Sequence, residues 1–123
     1  MRDDQTTLAQ LKQRMDRFIE QRDWGKYHRP KNLAMSLAIE AAELMEHFQW
    51  LDHDEADALL GDDAVREQVA DEIADILAFL LSLASRAGID LACTFEAKMA
   101  KNEAKYPADA VRGHYRRPGG DDP

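Results

Sequence analysis

Two short acidic pairs carry the clearest chemical signal in this sequence: Glu40 and Glu43 in "AIEAAELMEHFQW", and Glu72 and Asp75 in "EIADILAFLL". Each pair is spaced i, i+3, which on a helix points both side chains the same way. Wheeled at about 100° per residue, Glu40 falls at the centre of the apolar stripe of Leu33, Leu37, Leu44 and Leu51. Glu72 falls among Val69, Ile76 and Leu83. Two such helices facing each other would bring four carboxylates together. Unpaired buried carboxylates cost several kcal/mol each, so a converging set needs a counter-charge. Oxygen-only ligation suits a hard divalent ion, Mg²⁺ with Mn²⁺ as a substitute, rather than zinc or copper. An ion held this way keeps waters, which phosphate oxygens can replace.

Two other readings compete. The pairs could be edge residues bridged to Lys98, Lys101 or Arg86, as exposed charges usually are. The repetition of the pair in a second apolar stripe favours the metal. A di-iron carboxylate bundle would need Glu-x-x-His on two helices. Here the residue three after Glu43 is Glu46, His47 is displaced by one, and residues 64–87 contain no histidine. The di-iron reading fails on its ligands.

Four helices must position these residues. Leu8, Leu11, Met15, Phe18 and Ile19 recur at three- and four-residue intervals, which predicts a helix over 6–22 capped by Thr6 or Thr7. "DWGKYHRPKN" (23–32) interrupts the pattern and reads as a loop. The second helix is expected from about Asn32 to Trp50, and 51–63 as a loop with a short helical turn. The third runs from about Ala64 to Ala87 and ends at Gly88, and the fourth starts after Asp90 and stops by Pro107. No stretch alternates like a strand, so the class is all-α with a four-helix core. Residues 1–107 form the expected domain, and 108–123 a loosely ordered tail. From Ile73 to Ala87 the third helix is apolar nearly all round, more than one small bundle can cover, so a homo-oligomer is expected.

Composition narrows the partners. The 123 residues suffice for one domain, and the formal charge is −8 from 16 basic and 24 acidic residues. No basic footprint is present for nucleic acid or for an anionic membrane surface. An anionic ligand would need a cation to mediate. Cys93 is the single cysteine, which excludes an internal disulfide. The opening "MRDDQTTLAQL" is acidic where a signal peptide is basic. The longest apolar run, near "ILAFLLSLA", is far short of the ~20 residues of a membrane span. A cytoplasmic location is the default expectation.

Further candidates lie outside the acidic pairs. Lys98, Asn102 and Tyr106 share a side of the fourth helix with Phe95 and Met99, and ammonium and amide groups there can meet phosphate oxygens. Trp24, Tyr27, His28 and Trp50 lie in or beside the loops flanking the second helix, where indoles could stack on a nucleobase or simply pack in a core.

These motifs, with about 28 residues between E-x-x-E and E-x-x-D and with K-x-x-x-N-x-x-x-Y-P following, resemble the MazG-like all-α nucleoside triphosphate pyrophosphohydrolases. "RDWGKYHRPKNL" and "FQW" resemble motifs of the dCTP pyrophosphatase branch, and the likeness spans residues 8–107. The resemblance implies a dimer or tetramer that uses Mg²⁺ to hydrolyse a (deoxy)nucleoside triphosphate to the monophosphate and pyrophosphate. It implies that Glu40, Glu43, Glu72 and Asp75 bind metal, with Glu40 or Glu43 serving the attacking water. Lys98 and Asn102 would hold phosphates beside Tyr106, and Trp24, His28 and Trp50 would line the base and sugar site.

Two positions depart from the mammalian pattern: Met15 stands where a histidine is expected, and Phe79, in the substrate site, where a tyrosine is expected. Each removes a polar group that could read a base edge, which puts strict dCTP preference in question. Housecleaning of modified dNTPs fits equally well. The alternatives are a dUTPase-like relative and a non-catalytic helical interaction module.

Overall fold

In the computed structural model, residues 1–114 are described, and the regular structure among them is all helical. Six helices follow in order: α1 (Leu8–Gln21), α2 (Pro30–Glu46), α3 (His53–Leu59), α4 (Asp63–Ala87), α5 (Leu91–Lys105) and α6 (Ala108–Val111). The third and fourth helices of the sequence reading are α4 and α5. Their contacts divide the chain into two compact units, one ending at Gly88 and the other beginning at Ile89. Of the expected loose tail, residues 115–123 lie outside the described residues.

Local chemistry sets the helix ends. Thr7, not Thr6, caps α1: its hydroxyl accepts from Gln10 N at 3.2 Å while Gln10 Oε1 accepts from Thr7 N at 2.7 Å. Pro30 starts α2 two residues before the expected Asn32, because a proline at the first helical position gives up only an amide that would go unpaired anyway. The helix then ends at Glu46 rather than Trp50, since tighter bonds from His47 N to Leu44 O and Phe48 N to Met45 O turn the chain away. Asp52, Asp62 and Asp90 accept backbone N–H groups at the starts of α3, α4 and α5. Gly88, at φ 64°, closes α4 in the left-handed conformation that glycine adopts without strain.

Within the first unit, α4 is the organising helix. Helix α2 packs chiefly against it, and α1 packs against it as well. The buried apolar residues are Ile19 on α1, Leu33 on α2, and Val69, Leu81 and Ala84 on α4. Leu33 is the most enclosed of these, at 2% exposure. Meanwhile Ile73, Leu77 and Leu80 on α4, and Met35 and Ile39 on α2, remain exposed. So small a core makes each member count. Leu33→Ala should cost about 2–5 kcal/mol, read as a lower urea midpoint with the helical signal intact before the transition. A loss below about 1 kcal/mol would show that α2 does not depend on this contact.

Candidate metal centre

Glu40 lies two helical turns beyond Leu33 on the same face of α2, so the packing that buries Leu33 also turns Glu40 toward α4. Glu72 follows the buried Val69 by three residues on α4 and points the same way. As a result, ligand oxygens of Glu40, Glu43 and Glu72 lie within 4.8 Å of one another. Glu40 and Glu72 are half-buried, and Glu43 is exposed. Asp75 stands outside that 4.8 Å group but close enough for its charge to act on Glu40.

The electrostatics are those of a site wanting a cation. Loss of water around Glu40, the close approach of the Glu72 and Glu43 carboxyls, and repulsion from Glu43 and Asp75 push its carboxyl up to about 7. Glu40 Oε2 is enclosed and has no hydrogen-bond partner. The ion pairs among the described residues are Arg2–Asp4, Lys26–Asp23 and Arg112–Asp109, and none touches the four carboxylates. Within the first unit, Arg86 donates to Gly25 O and no salt bridge there explains the pairs. An enclosed, unpartnered oxygen within an all-carboxylate set fits a hard divalent ion.

A cavity of about 530 Å³ adjoins the cluster through Asp75. Its walls include Met15 and Phe18 of α1, Trp24 and His28 of the loop, and Leu77 and Phe79 of α4, with Arg14 as a further polar group. Its size is that of a small-molecule site.

The loop reaches this cavity through a defined turn at the end of α1. Trp24 N donates to Ile19 O at 3.1 Å and Asp23 N to Glu20 O at 3.0 Å, a Schellman arrangement with Asp23 left-handed at φ 50°. Aspartate tolerates that conformation better than most residues. Trp24 then meets Phe18 edge-on at 5.8 Å, and Arg86 Nη2 on α4 ties the loop down by donating to Gly25 O at 2.8 Å. The His28 ring lies over Phe79 at an interplanar angle of 29°, 6.4 Å between centroids, with Nδ1 3.3 Å from Ser82 Oγ. Desolvation, and after it the Arg86 charge, hold its proton affinity below the ordinary value.

Trp50 is 87% exposed and is not part of the cavity wall. Lys98 and Asn102 lie on α5 in the second unit, with Tyr106 at its C-cap, where its N–H donates to Asn102 O at 2.8 Å. Sequence reasoning missed Arg14 and Ser82. The signal for Ser82 was present: it is the one hydroxyl in "ILAFLLSLA".

A model of the MazG-like family matches residues 35–116. The chain belongs to the MazG-like family. The bovine dCTP pyrophosphatase 1 is 35% identical over 107 residues, and the human protein of the same name 33% over 111. The alignments cover 87% and 90% of this chain but only 63% and 65% of those proteins, so the chain spans under two thirds of their length. The crystal structure of a pyrophosphatase from Archaeoglobus fulgidus superposes with a TM-score of 0.77 at 41% identity, covering 87% of this chain and 98% of that one. For this MazG-like chain the all-α reading holds.

The raised Glu40 carboxyl makes a signed prediction. Folded metal-free protein keeps that proton to about pH 7, whereas the unfolded chain releases it near its ordinary 4.5. The folded state therefore binds more protons in that window, and this contribution to stability falls as pH rises through it. In the presence of a chelator, Glu40→Gln should raise the melting temperature at about pH 8, with little effect at about pH 4.5. Added Mg²⁺ should stabilise the wild type more at the higher pH, because its ligands must be deprotonated. Parallel pH–stability curves for wild type and variant would contradict the charge cluster.

Proposed function

We propose that this chain hydrolyses (deoxy)nucleoside triphosphates to the monophosphate and pyrophosphate, as a Mg²⁺-dependent enzyme acting on dCTP or on modified dNTPs. The observation that carries this reading is the clustering of Glu40, Glu43 and Glu72 around an unpartnered oxygen, next to an aromatic-walled cavity that shares Asp75. The names of the relatives, dCTP pyrophosphatase 1 and a pyrophosphatase, point to the same reaction.

Glu40, Glu43, Glu72 and Asp75 would hold Mg²⁺, or Mn²⁺ in its place. When bound, the ion neutralises triphosphate oxygens and stabilises charge on the leaving pyrophosphate. Glu40 or Glu43 would orient the attacking water and take its proton. Trp24, Phe79 and His28 would flank the base, with Trp24 and Phe79 supplying flat apolar surface. Trp50 joins the base site in this reading on the strength of the sequence motif alone. Lys98, Asn102 and Tyr106 would serve the phosphates on the same grounds, as ammonium, amide and hydroxyl donors. Residues 1–107 would then form the functional domain.

Exposed Ile39, Ile73, Leu77 and Leu80 support a homo-oligomer, a dimer or tetramer, in which this apolar surface is covered. The exposed free thiol of Cys93 suits the reducing cytoplasm. Among the described residues no single helix is long and apolar enough to cross a membrane.

Pyrophosphate release from a panel of common and base-modified dNTPs and NTPs tests the reading directly. Alanine at Glu40, Glu43, Glu72 or Asp75 should abolish Mg²⁺-dependent turnover while helical content persists. Wild-type turnover in all four variants would overturn the site. Because Met15 and Phe79 offer no hydrogen bond to a base edge, their own contribution to discrimination among bases should stay near the 10- to 200-fold typical of apolar contacts. A preference above about 10⁴-fold for one base would mean that another polar group reads it.

A further inference from the structure

Ser82 is the one buried polar residue among the described residues, at 1% exposure, and it lies in the middle of the most apolar run of the chain. A hydroxyl in such a place is costly unless it is bonded. Serines within helices commonly bond back to their own helix carbonyls. Ser82 Oγ instead has His28 Nδ1 as its partner, across 54 residues of sequence. The same His28 ring lies against Phe79, three residues before Ser82, so a single face of α4 fixes both its plane and its rotation.

With one partner, the hydroxyl has a choice of role. If it accepted from Nδ1–H, its own proton would be left buried and unpaired, at the full cost of desolvation. If it donates to Nδ1, only a lone pair goes unfilled. Donation requires a neutral ring with its proton on Nε2, and the depressed proton affinity of His28 agrees with this. Nε2 is then the nitrogen left for a ligand in the cavity.

We propose that Ser82 is a positioning residue whose buried hydroxyl donates to His28 Nδ1, so that His28 presents Nε2–H to the base of a bound nucleotide. The proposal rests on reading the cavity as the base site. Met15, Phe18, Leu77 and Phe79 give that cavity apolar walls. A donor fixed among such walls favours a base that offers a ring nitrogen or oxo group at that point, and disfavours one that offers an amine.

Nitrogen-15 NMR of the histidine rings, with His28 assigned by its absence in His28→Ala, reads the tautomer without reference to activity. Wild type should show protonated Nε2 and unprotonated Nδ1, and Ser82→Ala should lose that preference while the helical fold is retained. With dCTP as probe, Ser82→Ala should raise KM about 3- to 10-fold with kcat nearly constant, the worth of one neutral hydrogen bond. In the double variant with His28→Ala, Ser82→Ala should add nothing further. An Nδ1–H tautomer in wild type, or a Ser82→Ala effect that persists without His28, would overturn the proposal. If His28→Ala leaves KM and the ranking of dCTP, dUTP and dATP untouched, the base-site reading itself fails. The NMR result stands apart from that failure and still decides whether Ser82 sets the tautomer.

Discussion

The interface of α2 with α4 must hold like charges together. The contact that shields Leu33 to 2% exposure is continued two turns later by Glu40, where it encloses Oε2 without giving it a partner. Apolar packing at one end of the helix pair therefore maintains electrostatic repulsion at the other. Each buried Val or Leu contributes roughly 1.5–3 kcal/mol, of the same order as the cost of crowding a carboxylate. A fold with these opposing terms gains stability whenever a cation enters, because binding offsets the repulsion among the carboxylates. The cluster reads as a site for this reason more than for its count of acidic residues.

A second constraint acts on the loop between α1 and α2. It has to bring Trp24 and His28 to the cavity while crossing exposed chain that no sheet or helix ladder holds. Three interactions accomplish this in order: the Schellman bonds at Ile19 and Glu20, the Arg86 guanidinium on Gly25 O, and the Ser82 contact to His28. A side chain at residue 25 would have its Cβ 3.1 Å from the Arg86 Nη2, so the glycine leaves room for that anchor. The loop is an extension of α4 in energetic terms.

Much of this was legible from residue types and spacing. The acidic pairs stood out because their i, i+3 spacing and their place in an apolar stripe are both local, helical properties. The cap at Asp90 and the stop at Gly88 were legible for the same reason. Pro30 misled as a breaker because proline also begins helices, and which role applies depends on whether the following residues find a partner such as α4. Trp50 sits beside a conspicuous motif, but the end of α2 at Glu46 leaves its ring 87% exposed, and no helical wheel could foresee that early turn. Ser82 stood out as the one hydroxyl in an apolar run, but its role was not legible, because its partner lies 54 residues away and becomes its neighbour only through tertiary packing.

The register of α4 ties these pieces into one device. Glu72, Asp75, Phe79, Ser82 and Arg86 follow at intervals of three and four residues, which places them within an arc of about 80° on the helix surface. Along that stripe the helix supplies in turn a cluster carboxylate, the carboxylate shared with the cavity, an aromatic wall, the His28 contact and the loop anchor. The exposed Ile73 and Leu80 lie on roughly the opposite side. A helix divided in this way can evolve its outer face toward a partner without moving the cluster. Its inner face is less free, because one inserted residue between Asp75 and Phe79 would rotate everything beyond it by about 100° relative to the acidic pair. Acidic cluster, aromatic wall and loop anchor must therefore stay in phase, and α4 runs unbroken from Asp63 to Ala87 to keep them so.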